Sequence, residues 1–147
     1  MQDYFFDLFE YNHHYNQKLW ELFHHHLDQV SDKSLRLFNH TMNAHHIWNS
    51  RISLVPPRFG VWEMHDFHEL KNIDDVNFQQ SKTMLKSVDL DKVIEYRTST
   101  GDKFRNQVLH ICFHIINHST YHRGQIASEF RNQGLDPLVS DYIFYKR

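Results

Sequence analysis

Only four glycines and three prolines interrupt these 147 residues. That scarcity constrains the fold more than any other feature, because strand-rich chains need frequent turns and turns concentrate those two residues. Long helices are the alternative, and the apolar spacing supports them. From Tyr4 to Val30, Phe5, Leu8, Phe9, Tyr15, Leu19, Leu22, Phe23 and Leu27 recur at helical intervals and predict one amphipathic helix. Ser31 or Asp32 can cap the next, whose stripe of Leu37, Ala44, Ile47, Trp48 and Ile52 predicts a helix over 33–54 that Pro56-Pro57 forbids from continuing. Residues 58–74 read as a connecting excursion with an aromatic plug at Trp62. Asp74 or Asp75 begins a third, shorter helix, predicted over 75–87. Lys92 to Ser99 alternates weakly and ends at Thr100-Gly101, so a short extended segment can form before the last helix. That helix is predicted over 103–133 and stops at Gly134, with the tail returning apolar groups to the body. The expectation is all-α: one domain over residues 1–147, built as a four-helix bundle.

Composition removes several function classes. With 40% hydrophobic and 23% charged residues the chain has material for a packed core. The formal charge of −2 offers no electrostatic footprint for nucleic acid. No apolar run approaches the roughly 20 residues needed to cross a bilayer. The start MQDYFFDLFEYN carries acid where a signal peptide wants base, so the expected location is cytoplasmic. A single cysteine, Cys112, excludes an internal disulfide and any zinc site made of cysteine pairs. A metal, if bound, must be held by histidine and carboxylate.

Histidine is the unusual residue, with 14 in the chain. Most must be ordinary, since the run His24-His25-His26 fans around a helix and cannot face one ligand. The stretch HIINHSTYHRGQI (114–126) is different. Phe104, Val108, Ile111, Ile115, His118, His122, Ile126 and Phe130 follow at steps of three and four, which puts His118 and His122 on the buried stripe. Residues four apart lie one turn apart on one face, so both imidazoles can converge on one ion. His40 shares an inward face of the second helix with Leu37, Ala44, Ile47 and Trp48 and is the candidate third ligand. The competing reading is a set of core histidines bonded to tyrosine and asparagine side chains. His45, His46, His110 and His114 are rotated away and read as surface or supporting residues, with His114 the supporting candidate nearest the pair.

Four stretches carry a resemblance. NHSTYHRGQI (117–126), His40 in HTMNAHHIW, the opening YNHHYNQKLWEL, and Gly134-Leu135-Asp136-Pro137 with Asp141-Tyr142 together resemble the DinB family of metal-dependent bundle proteins, related to the YfiT-like thiol transferases. The resemblance spans nearly the whole chain. It implies a four-helix bundle, a metal on His40, His118 and His122, a homodimer as in many members, and activation of a low-molecular-weight thiol co-substrate.

Three neutral imidazoles leave a coordination position open, which marks a catalytic site more than a closed structural one. A divalent ion there, zinc or nickel by its suitability for imidazole, can lower the pKa of bound water to about 7 or deprotonate a thiol. Arg123 either anchors a carboxylate of a small-molecule substrate or pairs with Asp141 as a structural clamp, the clamp being the favoured reading. Gly124, costly inside a helix, is expected at a close helix contact. Three functions remain open: a metal-dependent thiol S-transferase or hydrolase, a metal-binding or stress-response protein without turnover, and a metal-free interaction module.

Overall fold

The computed structural model describes every residue, Met1–Arg147, and is mostly helical with one small sheet. The chain runs through α1 (Gln2–His25), α2 (Asp32–Ile52), α3 (Phe67–Leu85), β1 (Val93–Arg97), β2 (Lys103–Gln107), α4 (Val108–Asn132) and the single-turn α5 (Tyr142–Tyr145). Each of the four long helices packs on two others: α1 on α3 and α4, and α2 on the same pair. No helix is long and apolar enough to cross a membrane.

Local chemistry sets most boundaries. Ser31 caps α2 by accepting from the Ser34 amide at 3.1 Å. After α2 the backbone turns through Leu54 at φ 57° and meets Pro56-Pro57, as the proline pair required. Gly134, at φ +74°, follows the end of α4 where a side chain would be strained.

Three boundaries differ from the expectation. The first helix ends at His25 rather than at residue 30: Leu27 is 38% exposed, and Val30 reaches the apolar core from the turn that follows. The third begins at Phe67, well inside the supposed excursion. Asp66 caps it by accepting from the His68 amide at 2.9 Å, and Leu70 and Ile73 carry its apolar face inward. Asp74 looked like the cap but sits buried in mid-helix, accepting from His13 Nδ1 at 2.7 Å, Asn16 Nδ2 at 2.8 Å and Gln17 Nε2 at 2.7 Å, all on α1. The last helix starts at Val108, since residues 103–107 pair antiparallel with β1 in the register Val93↔Gln107 to Arg97↔Lys103. Phe104 is therefore 49% exposed on a strand and leaves the stripe assigned to it. The extended segment at Lys92–Ser99 is real, and Gly101 at φ +90° turns it into a hairpin.

The core divides into two apolar clusters. One gathers Phe5, Phe9, Phe78, Val108 and Ile115 among others; the second gathers Leu19, Phe23, Phe38, Leu70 and Phe130. Along every long helix some buried polar residues fall between or beside them: Asn12 and Asn16, then His40, Asn43, His45 and His46, then Asp74 and Asn77, then Ser119, His122 and Arg123. Such a band persists only if its groups satisfy one another. His45 donates from Nε2 to Ser81 Oγ at 2.8 Å, and Ser81 donates on to Asn49 Oδ1 at 3.0 Å. Asn49 and Asn77 in turn donate to the Asn77 and Met42 carbonyls.

The band makes the protein sensitive to acid. Burial pushes His45 down to about 4, and its Nδ1 has no partner to receive a proton. In the unfolded chain the same ring takes a proton near 6.5, so stability is lost as pH falls below that value. Burial also lowers His46 and His114. His13 opposes them: burial, the largest influence, lowers it too, but the hydrogen bond to Asp74 and the charges of Asp74 and Asp75 together raise it more, so it adds stability on the acid side of 6.5. His45 alone implies a loss of about 2 kcal/mol between pH 7.5 and pH 5. Urea midpoints of the chelator-treated protein at the two values check this, and a midpoint unchanged on acidification would show that His45 is not held neutral.

Candidate metal centre

His40 from α2 and His118 and His122 from α4 meet inside the polar band. Their ligand atoms all lie within 4.8 Å of one another. His118 Nε2 stands 3.0 Å from His40 Nε2 and 3.0 Å from His122 Nε2. His40 and His122 are each 8% exposed, and His118 is half-buried.

The surrounding groups fix which nitrogen carries hydrogen. His40 Nδ1 donates to the Val61 carbonyl at 3.0 Å, and His122 Nδ1 donates to Gln125 Oε1 at 2.6 Å. Both rings are therefore held as the tautomer whose Nε2 is a bare lone pair aimed at the common point. His118 can give a hydrogen to one of them but not to both. Three imidazole nitrogens so placed satisfy a cation better than they satisfy each other, and tetrahedral ligands about 2.05 Å from a zinc ion stand about 3.3 Å apart. The donor set fits a divalent metal. Burial, and then the two neighbouring imidazoles, push His118 down to about 3, while burial lowers His40. Both shifts favour the neutral ring that a metal ligand must be.

The excursion completes the site. Asn39 and Asn43 of α2 hold it down: the His65 amide donates to Asn39 Oδ1 at 2.8 Å, and Asn43 Nδ2 donates to the Glu63 carbonyl at 2.8 Å. Trp62 is thereby laid face-on over the His40 ring, 3.9 Å between centroids and 12° between planes. It is 53% exposed, so it lids a ligand rather than plugging the core.

The other expectations fare differently. His114 is exposed, its ring 5.4 Å from that of His118 and edge-on to Trp48 at 5.1 Å, outside the converging trio. His45 and His46 are buried rather than superficial, His45 bonded to Ser81 and His46 accepting from the Arg58 amide at 2.9 Å. Asp141 forms no ion pair with Arg123: it is exposed, and the Arg123 guanidinium turns to α1, donating to Asn12 Oδ1 at 2.8 Å and to the Tyr11 hydroxyl at 3.2 Å. The clamp exists with different partners. A methyl group on Gly124 would meet nothing within 4 Å, so the close contact expected there is absent. Sequence reasoning gave no role to Gln125, although its spacing of three from His122 on one helix face was visible, nor to the Val61 carbonyl, which no spacing announces.

A model of the DinB family matches residues 1–147. Among curated proteins, Protein DinB of Bacillus subtilis (strain 168) is 22% identical over 166 residues, an alignment that covers 99% of this chain and 95% of that protein.

Proposed function

The chain belongs to the DinB family, and we propose from that premise that it is a four-helix-bundle protein holding one divalent metal, zinc or nickel, on His40, His118 and His122 and activating a low-molecular-weight thiol, or water, toward a small-molecule substrate. The observation that carries the reading is the pair of bare Nε2 lone pairs, locked by Val61 and Gln125, that face His118 Nε2 at 3.0 Å. When bound, the ion supplies Lewis acidity that makes a thiol or water a nucleophile at neutral pH. The chain's own residues orient the ligands, favour the neutral form of His40 and His118 by burial, and cover one side with Trp62. No carboxylate joins the group that the three histidines form. A site without a nearby acid–base carboxylate suits a thiol, which gives up its proton readily, better than water.

A second reading is metal binding without turnover, as in a stress-response role, and the Trp62 face over His40 favours it by narrowing access. The homodimer implied by the family is supported by exposed apolar side chains on α4 and the tail, among them Phe113, Val139 and Ile143. Elemental analysis of tag-free protein should find one zinc or nickel per chain, with the same sample sedimenting as a dimer at micromolar concentration. A thiol-transfer screen then separates the two readings. Protein purified without metal, and taking up none on addition, would refute both.

A further inference from the structure

A cleft of about 450 Å³ opens between the C-terminal half of α2, the loop at 57–61 and the hairpin turn, with Arg51, Val61, Tyr96 and Arg97 in its walls. It is linked to the three histidines through Val61, which lines it and whose carbonyl accepts from His40 Nδ1. Arg51 and Arg97 both line it, the Arg97 guanidinium already donating to the Gly101 carbonyl at 2.8 Å. Neither Arg51 nor Arg97 pairs with any carboxylate, although the protein forms ion pairs elsewhere. Arg51 is half-buried and burial lowers its pKa, so its charge loses solvation without gaining a counter-ion.

The position of Arg51 is built. Its Cζ lies 4.3 Å from the Trp48 ring and 4.6 Å from the Tyr96 ring, in the corner formed by two aromatics set 80° apart. Tyr96 is fixed by donating to Asn106 Oδ1 at 2.8 Å. Arg51 Nη2 donates to the Arg97 carbonyl at 3.2 Å, which uses one of a guanidinium's five N–H groups. The rest remain for a ligand. Stacking on aromatics holds the planar group in one orientation and suits two-pronged recognition of a carboxylate.

We infer that Arg51 is a substrate-binding residue that anchors a carboxylate in this cleft, with Trp48 and Tyr96 as the walls that aim it. His40 and Arg51 are eleven residues apart on α2, about 16 Å along the axis. Both side chains lean toward the N-terminus, and only the greater reach of Arg51, stacked back on Trp48, shortens the span, to on the order of 10 to 15 Å. A thiol the size of a tripeptide, with its sulfur at one end and a carboxylate at the other, has that reach. The span rests on the histidines holding a metal; the anchor does not.

The test therefore has two arms. Calorimetric titration of the metal-free protein with S-methylglutathione, which has carboxylates but no thiol, should show binding that Arg51→Gln weakens at least about 10-fold and Arg51→Lys weakens less. Esterifying the probe's carboxylates should cost the wild type a similar factor and cost Arg51→Gln nothing further. Absence of binding by the wild type, or equal affinity in Arg51→Gln with its helical spectrum intact, overturns the anchor. In the second arm, glutathione is added to cobalt-loaded wild type and the sulfur-to-cobalt absorption is followed. Binding in the first arm with no such band in the second leaves the anchor standing and refutes the thiol reading instead.

Discussion

Replacing His122 with alanine should abolish stoichiometric metal binding, leaving close to zero ions per chain after dialysis, while His25→Ala should retain the wild-type content. The contrast follows from position. His122 contributes one of two lone pairs fixed by Nδ1 hydrogen bonds, and without it only His40 and His118 remain. Two imidazoles make too few bonds to hold a divalent ion through dialysis. His25 is exposed at the end of α1, its Nδ1 bonded to the Glu21 carbonyl at 2.7 Å. Equal retention by both variants would place the metal elsewhere. A second substitution probes the support: Gln125→Leu frees the His122 ring to rotate and should lower affinity 10- to 100-fold, roughly the range found for outer-shell partners.

The trio was legible because helical periodicity fixes both the face and the level of a residue. His118 and His122 sit on a stripe whose apolar members from Val108 to Phe130 are buried, and His40 shares a face with Leu37 and Ala44. What failed was spacing that two structures share. Phe104 and Val108 are four apart and extend a helical pattern backward, yet the backbone between them pairs with Val93–Arg97. Asp74 failed in a related way. A carboxylate after a loop-like stretch reads as a cap, and only the approach of α1, with His13, Asn16 and Gln17, makes a buried position tolerable for it. Trp62 was noticed as an aromatic in a connection, but its seat on His40 depends on Asn39 and Asn43 holding the loop. Interactions between elements are settled by packing, and no periodicity within one element records them.

Arg123 illustrates the same limit and carries the second large effect: Arg123→Ala should cost about 4 kcal/mol of stability, read from urea unfolding of the metal-free protein. The guanidinium is buried and donates from Nη1 to Asn12 Oδ1, Asn16 Oδ1 and Ser119 Oγ, and from Nη2 to the Tyr11 and Thr120 hydroxyls. Burying the charge among neutral acceptors is expensive, so relief of desolvation works in the variant's favour. Against it, Asn12 Oδ1 is left in the core without a donor, at about 1 to 3 kcal/mol, Asn16 Oδ1 keeps only the long 3.5 Å bond from Ser119 Oγ, and a cavity opens between α1 and α4. The buried Asp74, joined to this network through Asn16 Nδ2 at 2.8 Å, also loses its compensating positive field. Those losses act together and exceed the relief. Arg123→Met separates them, since it refills the volume without restoring a donor, and it should recover less than half of the lost stability. Had Arg123 been the anchor of a substrate carboxylate, either variant would keep the wild-type urea midpoint and weaken only ligand binding; that outcome would assign the residue to recognition rather than to joining α1 and α4.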